Sequence, residues 1–171
     1  MRYQTPLLFP NKDSKNLIIA INQGTKSFNA LSSKYLVDLH FNGDSQCLPL
    51  FVYSKGKERI DNITDWALEL FQKNYADKTI TKESIFHYVY AALHNPAYRK
   101  KYELNLKREF PRIPLYENFW QWSTWGGQLM NLHINYETIE PYKLERKEVA
   151  VKEHPKAKLK SLKDTGVIIL D

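Results

Sequence analysis

Ile80-Thr-Lys-Glu-Ser-Ile-Phe-His-Tyr-Val-Tyr-Ala-Ala-Leu-His-Asn-Pro-Ala-Tyr-Arg99 is the stretch that decides the fold. Thr81 suits a helix start, because its hydroxyl accepts from backbone N–H groups that the first turn leaves without partners. Ile85 to Leu93 is apolar nearly all round, the composition of a helix enclosed by other elements. Asn95-Pro96 then begins another helix: the amide caps, and proline fits the first helical position, where its missing N–H costs nothing. A central helix after Thr81 and a further helix from about Pro96 to Glu109 are therefore expected.

Working outward, Ile63, Trp66, Ala67, Leu70 and Phe71 recur at helical spacing. With Asp61 or Asn62 as cap they predict an amphipathic helix around residues 63–75, with Trp66 on its core side. Phe110-Pro-Arg-Ile-Pro114 must be extended, since proline disfavours α conformation in the residue before it. A last helix carries Phe119, Trp122, Leu129, Leu132 and His133 along one side. Its Gly126-Gly127 pair costs roughly 1 kcal/mol of helix stability per glycine, so a close packing contact is expected there. Upstream of residue 60 the period changes. Asn16–Gln23 is a β-branched run ended by Gly24 and fits a buried strand. Phe28–Phe41 mixes polar and apolar positions before the turn residues Asn42-Gly43-Asp44, and Pro49 puts the strand-like run Gln46–Tyr53 at an edge or a bulge. After Pro141 the composition turns lysine-rich, as in a solvated arm, and Gly166–Leu170 looks like a strand at a truncated end. The expected class is α+β: a β-rich lobe (1–60), a lobe of about four helices (61–142), and a basic arm with a terminal strand (143–171).

A chain of 171 residues and 20.2 kDa suits one compact domain or two small lobes. Its 43% apolar and 13% aromatic content excludes global disorder. One cysteine, Cys47, rules out an internal disulfide framework and is expected to pack as a small hydrophobe. No apolar run is long enough to span a membrane, and the N-terminus lacks a secretory leader, so a cytoplasmic protein is expected. The net charge of +6 permits a nucleic-acid partner without requiring one. There is no Walker loop, dinucleotide fingerprint, His-Glu-x-x-His or nucleophile motif, and the histidines are scattered singly. His87 and His133 fall in helix-periodic apolar stretches, as partly buried core histidines would. Asn95-Pro-Ala-Tyr98 is similar to the Asn-Pro-Pro-Tyr loop with which DNA amino-methyltransferases hold an extruded base, but alanine occupies the third position and a helix start already accounts for it.

Two segments carry the chemistry of nucleic-acid binding. Residues 98–112 hold Arg99, Lys100, Lys101, Lys107, Arg108 and Arg112 against Glu103 and Glu109. On a helix these cannot all face inward, so a basic stripe for phosphate is expected, and a Glu103–Lys107 pair on a plain solvated face is the alternative. The loop Gln23-Gly-Thr-Lys-Ser-Phe-Asn-Ala30 offers amides, a hydroxyl and a lysine after a strand, groups that suit base edges; an ordinary polar turn would look the same.

Ile63–Phe71, Ile80–Arg99, Leu106–Pro114 and Leu132-His-Ile-Asn-Tyr-Glu137 resemble the C-terminal specificity region of Type ISP restriction-modification enzymes. Lys26–Leu31 and Asp38–Leu50 look like the β-rich part that precedes it, so the resemblance covers most of residues 16–142. Such enzymes are single polypeptides with a nuclease, a helicase-like translocating ATPase, an N6-adenine methyltransferase and a target-recognition domain. The resemblance implies that this chain corresponds to the last part alone. It would read an asymmetric site on double-stranded DNA and place the upstream methyltransferase and helicase-like domains upon it. S-adenosylmethionine, ATP and Mg would serve the parent, with no cofactor and no catalysis in this fragment. Phosphate contacts are expected from Lys26, Lys34, Arg99, Lys100, Lys107, Arg108 and Arg112, and base contacts from Asn22, Gln23, Ser27 and Asn29. The alternative is a docking module between the methyltransferase and helicase-like lobes that reads little DNA.

Overall fold

The computed structural model describes residues 5–22, 27–38, 40–55, 58–141, 143, 159–162 and 167–170. It is an α+β chain of two compact units, residues 1–139 and 140–171.

The first unit is built on β1 (Ile18–Asn22), all five of whose residues are buried. A continuous apolar run without alternation suits a strand covered on both faces. β1 is the centre of an antiparallel sheet of order β2-β1-β3, with β2 at Ala30–Ser33 and β3 at Ser45–Pro49. Ile21 lies opposite Ala30 on one side and Gln46 on the other. The strand-like run 46–53 is broken after Pro49, at the end of edge strand β3. It resumes as β4 (Phe51–Tyr53), which pairs with β5 (Arg59–Asp61) in a separate ribbon. Buried Asn16 joins these parts: its amide donates to the Leu8 and Phe51 carbonyls and its oxygen accepts from the Leu17 and Phe51 N–H groups. Leu8 ends a short helix α1 (Thr5–Leu8) that hydropathy spacing did not reveal.

The helices follow. α2 (Asp65–Tyr75) is capped by the Thr64 side chain, not by Asp61 or Asn62, and closes on Ala76 in the left-handed conformation. α3 (Lys82–His94) has the expected Thr81 cap, in a reciprocal box with Ser84, and buries eight residues. Asn95 caps α4 (Pro96–Lys101), but the expected single helix to Glu109 breaks at Tyr102 and restarts as α5 (Glu103–Leu106). α6 (Phe119–Ile134) packs on α3, with Gly126 against the His87 carbonyl. One core cluster joins Ile19 and Ile21 of the sheet to Phe86, Tyr90 and Leu93 of α3 and Met130 of α6. In the other, Tyr88 stacks on Phe119 with ring centroids 5.3 Å apart, and Phe71 packs edge-on to both.

Three apolar residues assigned to the core by spacing lie outside. Trp66 is 72% exposed, Leu132 49% and Leu70 40%. All three lie on the outer side of their helices, and hydrophobic periodicity alone does not say which side a neighbour covers.

Three tyrosines hold the extended strap 112–116. Tyr88 Oη donates to the Pro114 carbonyl (2.7 Å) and accepts from the Tyr116 N–H (2.6 Å). Tyr98 Oη donates to the Arg112 carbonyl, and Tyr75 Oη donates to the Tyr116 carbonyl. In the second unit β6 (Leu159–Leu162) pairs antiparallel with β7 (Val167–Leu170). The terminal strand is thus present, and part of the stretch expected as a solvated arm is a strand; the rest of that arm lies outside the described residues.

Candidate nucleic-acid interface

The polar loop between β1 and β2 is held from below by Asn22. This side chain is 2% exposed; its Nδ2 donates to the Ser27 carbonyl (3.0 Å) and its Oδ1 accepts from the Asn29 N–H (2.7 Å). The backbone adds a bond from the Asn22 N–H to the Asn29 carbonyl. Asn22 therefore shapes the loop from within. Ser27 is exposed at the surface, and Asn29 Oδ1 is enclosed without a partner among the described residues. Gln23 and Lys26 lie outside the described residues.

The structure brings this loop against the helix that carries the basic run. The Arg99 guanidinium sits over the Phe28 ring, 5.7 Å from its centroid, and Arg99 Nε donates to the Leu93 carbonyl at 2.6 Å. Arg99 is half-buried, a cation used to join loop, α3 and α4. His94 makes a second tie: its Nδ1 lies 2.8 Å from the Tyr90 carbonyl and its Nε2 3.0 Å from the Ala30 carbonyl. Sequence reasoning passed over His94. The available signal was a titratable residue ending an otherwise apolar helix, but a contact with Ala30, 64 positions away, leaves no local trace.

Other cations lie outward. Lys100 and Arg108 are exposed, and Lys101 stands over the Tyr102 ring. Lys107 pairs with Glu103 at 2.9 Å, the i,i+4 pair of the solvated-face alternative, and Arg112, its side chain 91% exposed, lies 3.4 Å from Glu109. Such exposed pairs hold their partners weakly, so another anion can displace them. Lys34 is exposed beside Tyr35 but follows the far end of β2; a four-residue strand of about 13 Å separates it from Asn29. Arg99 of α4 thus meets the loop at Phe28, while Lys34 stands at the other end of β2.

Asn95 and Tyr98 have structural partners. Asn95 Oδ1 accepts from the Ala97 and Tyr98 N–H groups and its Nδ2 donates to Tyr116 Oη, while Tyr98 is 3% exposed beneath the strap. Among the described residues no cluster of His, Cys, Asp and Glu could hold a metal ion. No described helix is long and apolar enough to cross a membrane.

Burial holds the imidazoles of His87, His94 and His133 below their ordinary value of 6.5; at His94 the nearby Arg99 and His133 add to the effect. These groups bind protons less readily in the folded chain than in the unfolded one. Their stabilising contribution is complete above about pH 6.5 and declines as pH falls toward the depressed folded values. Urea denaturation should therefore show lower stability at pH 5.5 than at pH 7.5; equal or greater stability at pH 5.5 would contradict the buried, neutral state of these rings.

The whole chain, residues 1–171, matches the profile of the Type ISP C-terminal specificity domain, and it belongs to that family. Among solved structures, a chain of the cryoEM structure of the DrdV–DNA complex is 45% identical with a TM-score of 0.87, over 100% of this chain and 18% of that one. A nuclease-deletion mutant of the Type ISP restriction-modification enzyme LlaGI, in complex with a DNA substrate mimic, is 35% identical with a TM-score of 0.71, over 98% of this chain and 15% of that one. The ATP-dependent Type ISP restriction-modification enzyme LlaBIII bound to DNA is 26% identical with a TM-score of 0.77, over 100% and 12%. This chain thus spans less than a fifth of each of these polypeptides. No curated protein matches it.

Proposed function

We propose that this domain recognises double-stranded DNA for a restriction-modification enzyme, setting an N6-adenine methyltransferase and an ATP-dependent translocase and nuclease on an asymmetric site. The observation that carries the reading is the match, over the full chain at 45% identity, to part of a protein solved as a DNA complex. On this reading the domain needs no cofactor and performs no catalysis, and S-adenosylmethionine, ATP and Mg serve other parts of the parent.

Lys100, Lys107, Arg108 and Arg112 take the phosphates, with Lys26 at the loop and Lys34 at the far end of the sheet. Such contacts fix register and make binding salt-dependent, but carry no sequence information. Ser27 and Asn29, with Gln23, meet base edges. Asn22 and Arg99 support them by holding the loop.

The test is a mobility-shift titration of the folded chain with a mixed-sequence duplex over a range of salt concentrations. Binding that weakens steeply with salt is expected, and the slope of log K against log[salt] should shrink by about 0.9 for each phosphate-contacting residue replaced in Lys100→Ala, Arg108→Ala and Arg112→Ala. Absence of any shift at low salt would overturn direct DNA binding by this domain.

A docking role is favoured by one feature. α6 contains no Asp, Glu, Lys or Arg, and its outer side leaves Trp125 48% and Leu132 49% exposed. This surface suits an uncharged protein neighbour better than phosphate. If docking is the whole function, Lys100→Ala, Arg108→Ala and Arg112→Ala combined in one chain cause no loss of DNA affinity.

A further inference from the structure

We infer that the cleft between α5 and the extended strap 112–116 is a binding site for one unpaired nucleotide of DNA. Tyr102, Phe110 and Asn105 hold its base, and Lys101 and Arg112 hold its phosphate. The duplex reading proposed above contains no such site and shares only Arg112 with it.

The cleft has a volume of about 480 Å³, within the range of small-molecule sites. It lies beside Tyr102, where the expected single helix breaks and α5 restarts. Buried Tyr98 and Leu106 supply its apolar lining. The strap bounds it and is fixed in place: Tyr98 Oη donates to the Arg112 carbonyl at 3.0 Å, and Pro111 and Pro114 restrict the backbone on either side. The shape is therefore set by the fold before any ligand arrives.

Two aromatic rings line this cleft that the core does not use. Phe110 is 55% exposed and Tyr102 is 36% exposed, and neither belongs to a core cluster. Every nucleobase has a π face, so exposed aromatic rings beside cations form a stacking platform for unpaired bases. Asn105 lines the same cleft, and its side-chain amide has no hydrogen-bond partner among the described residues. It offers a donor and an acceptor to a base edge. A base still paired in a duplex keeps both faces stacked and cannot enter.

The cations stand at the rim. Lys101 lies 5.2 Å from the centroid of the Tyr102 ring and pairs with no carboxylate among the described residues. Arg112 is anchored at its backbone by Tyr98, while its guanidinium lies in solvent 3.4 Å from Glu109, an exposed pair that a phosphate can displace. The Glu109 carboxylate lines the cleft as well, which keeps phosphate at the rim and lets only the uncharged base inside. On the methyltransferase reading above, extruding the target adenine leaves such an unpaired nucleotide opposite it.

The test is fluorescence anisotropy at low salt with two labelled single-stranded octamers, octathymidylate and an abasic octamer of the same charge. One stacked base should make octathymidylate bind about five- to a hundredfold more tightly. Tyr102→Ala and Phe110→Ala should remove most of that preference, whereas Trp66→Ala, an exposed aromatic on α2, should keep it. Equal binding of the two octamers by the folded wild type, or a preference that survives both cleft variants, overturns the site. Should those variants fail to fold, octathymidylate carrying one photoreactive 4-thiothymidine decides with the wild-type chain: crosslinks at Tyr102 or Phe110 are expected, and crosslinks only elsewhere overturn the site. The duplex titration described above is read separately, so the cleft can fail while duplex recognition stands, and the reverse.

Discussion

Gly126→Ala should lower the stability of the folded chain by more than about 3 kcal/mol and its melting temperature by roughly 10 °C. A Cβ at position 126 would sit 1.8 Å from the His87 carbonyl oxygen and 2.6 Å from its carbon. Both atoms belong to backbone inside α3, which cannot rotate aside as a side chain would. The two helices must separate instead, and that opens the densest contact between elements in the first unit. Gly127→Ala is the control. There the added carbon would stand 3.4 Å from His87 Nδ1, an ordinary contact, and helix propensity favours alanine by roughly 1 kcal/mol. Paired thermal melts should show a large loss at position 126 and none, or a small gain, at position 127. Equal effects would mean that α3 and α6 do not meet through this glycine.

Asn22→Ala should cost roughly 2–3 kcal/mol and weaken duplex binding by more than about tenfold even where the variant remains folded. The substitution leaves the Asn29 N–H and the Ser27 carbonyl without the partners that now hold them at 2.7 and 3.0 Å. Their position next to a strand buried along its whole length limits how readily water can replace the amide. A buried polar group left unmade costs more than a made bond contributes, so the loop should open to reach solvent. Under the DNA-reading proposal an opened loop no longer presents Ser27 and Asn29 together. Asn22→Asp separates the two bonds: the oxygen can still accept from Asn29, but the donor to Ser27 is gone. Stability and duplex affinity measured together on both variants check this, and full affinity in a destabilised Asn22→Ala would remove the loop from the interface.

Much of the helical part was legible because its signals are local. The Thr81 cap, the all-round apolar course of α3 and the Asn95-Pro96 restart each depend on groups within four positions of one another. The close approach at Gly126 was legible for a related reason: a glycine pair inside a helix is a cost that packing must offset. β1 was likewise marked by an unbroken apolar run. The candidate site was less so. Arg99, chosen for its charge, turned out to be half-buried and engaged with Leu93 and Phe28, while Asn22, chosen as a reader of bases, is enclosed and holds the loop.

Chain order alone determined where α3 and α4 begin, which strand is covered on both faces, and membership of the Type ISP specificity domains. Backbone propensity, capping and hydrophobic period act over one or two turns and can be summed along the chain. Tertiary structure alone decided that Trp66 faces solvent, that three tyrosine hydroxyls hold the strap, and that His94 reaches Ala30 across the sheet edge. Those outcomes turn on which side of a helix meets which neighbour, a choice made when distant segments bury one another and polar atoms must find partners in what remains.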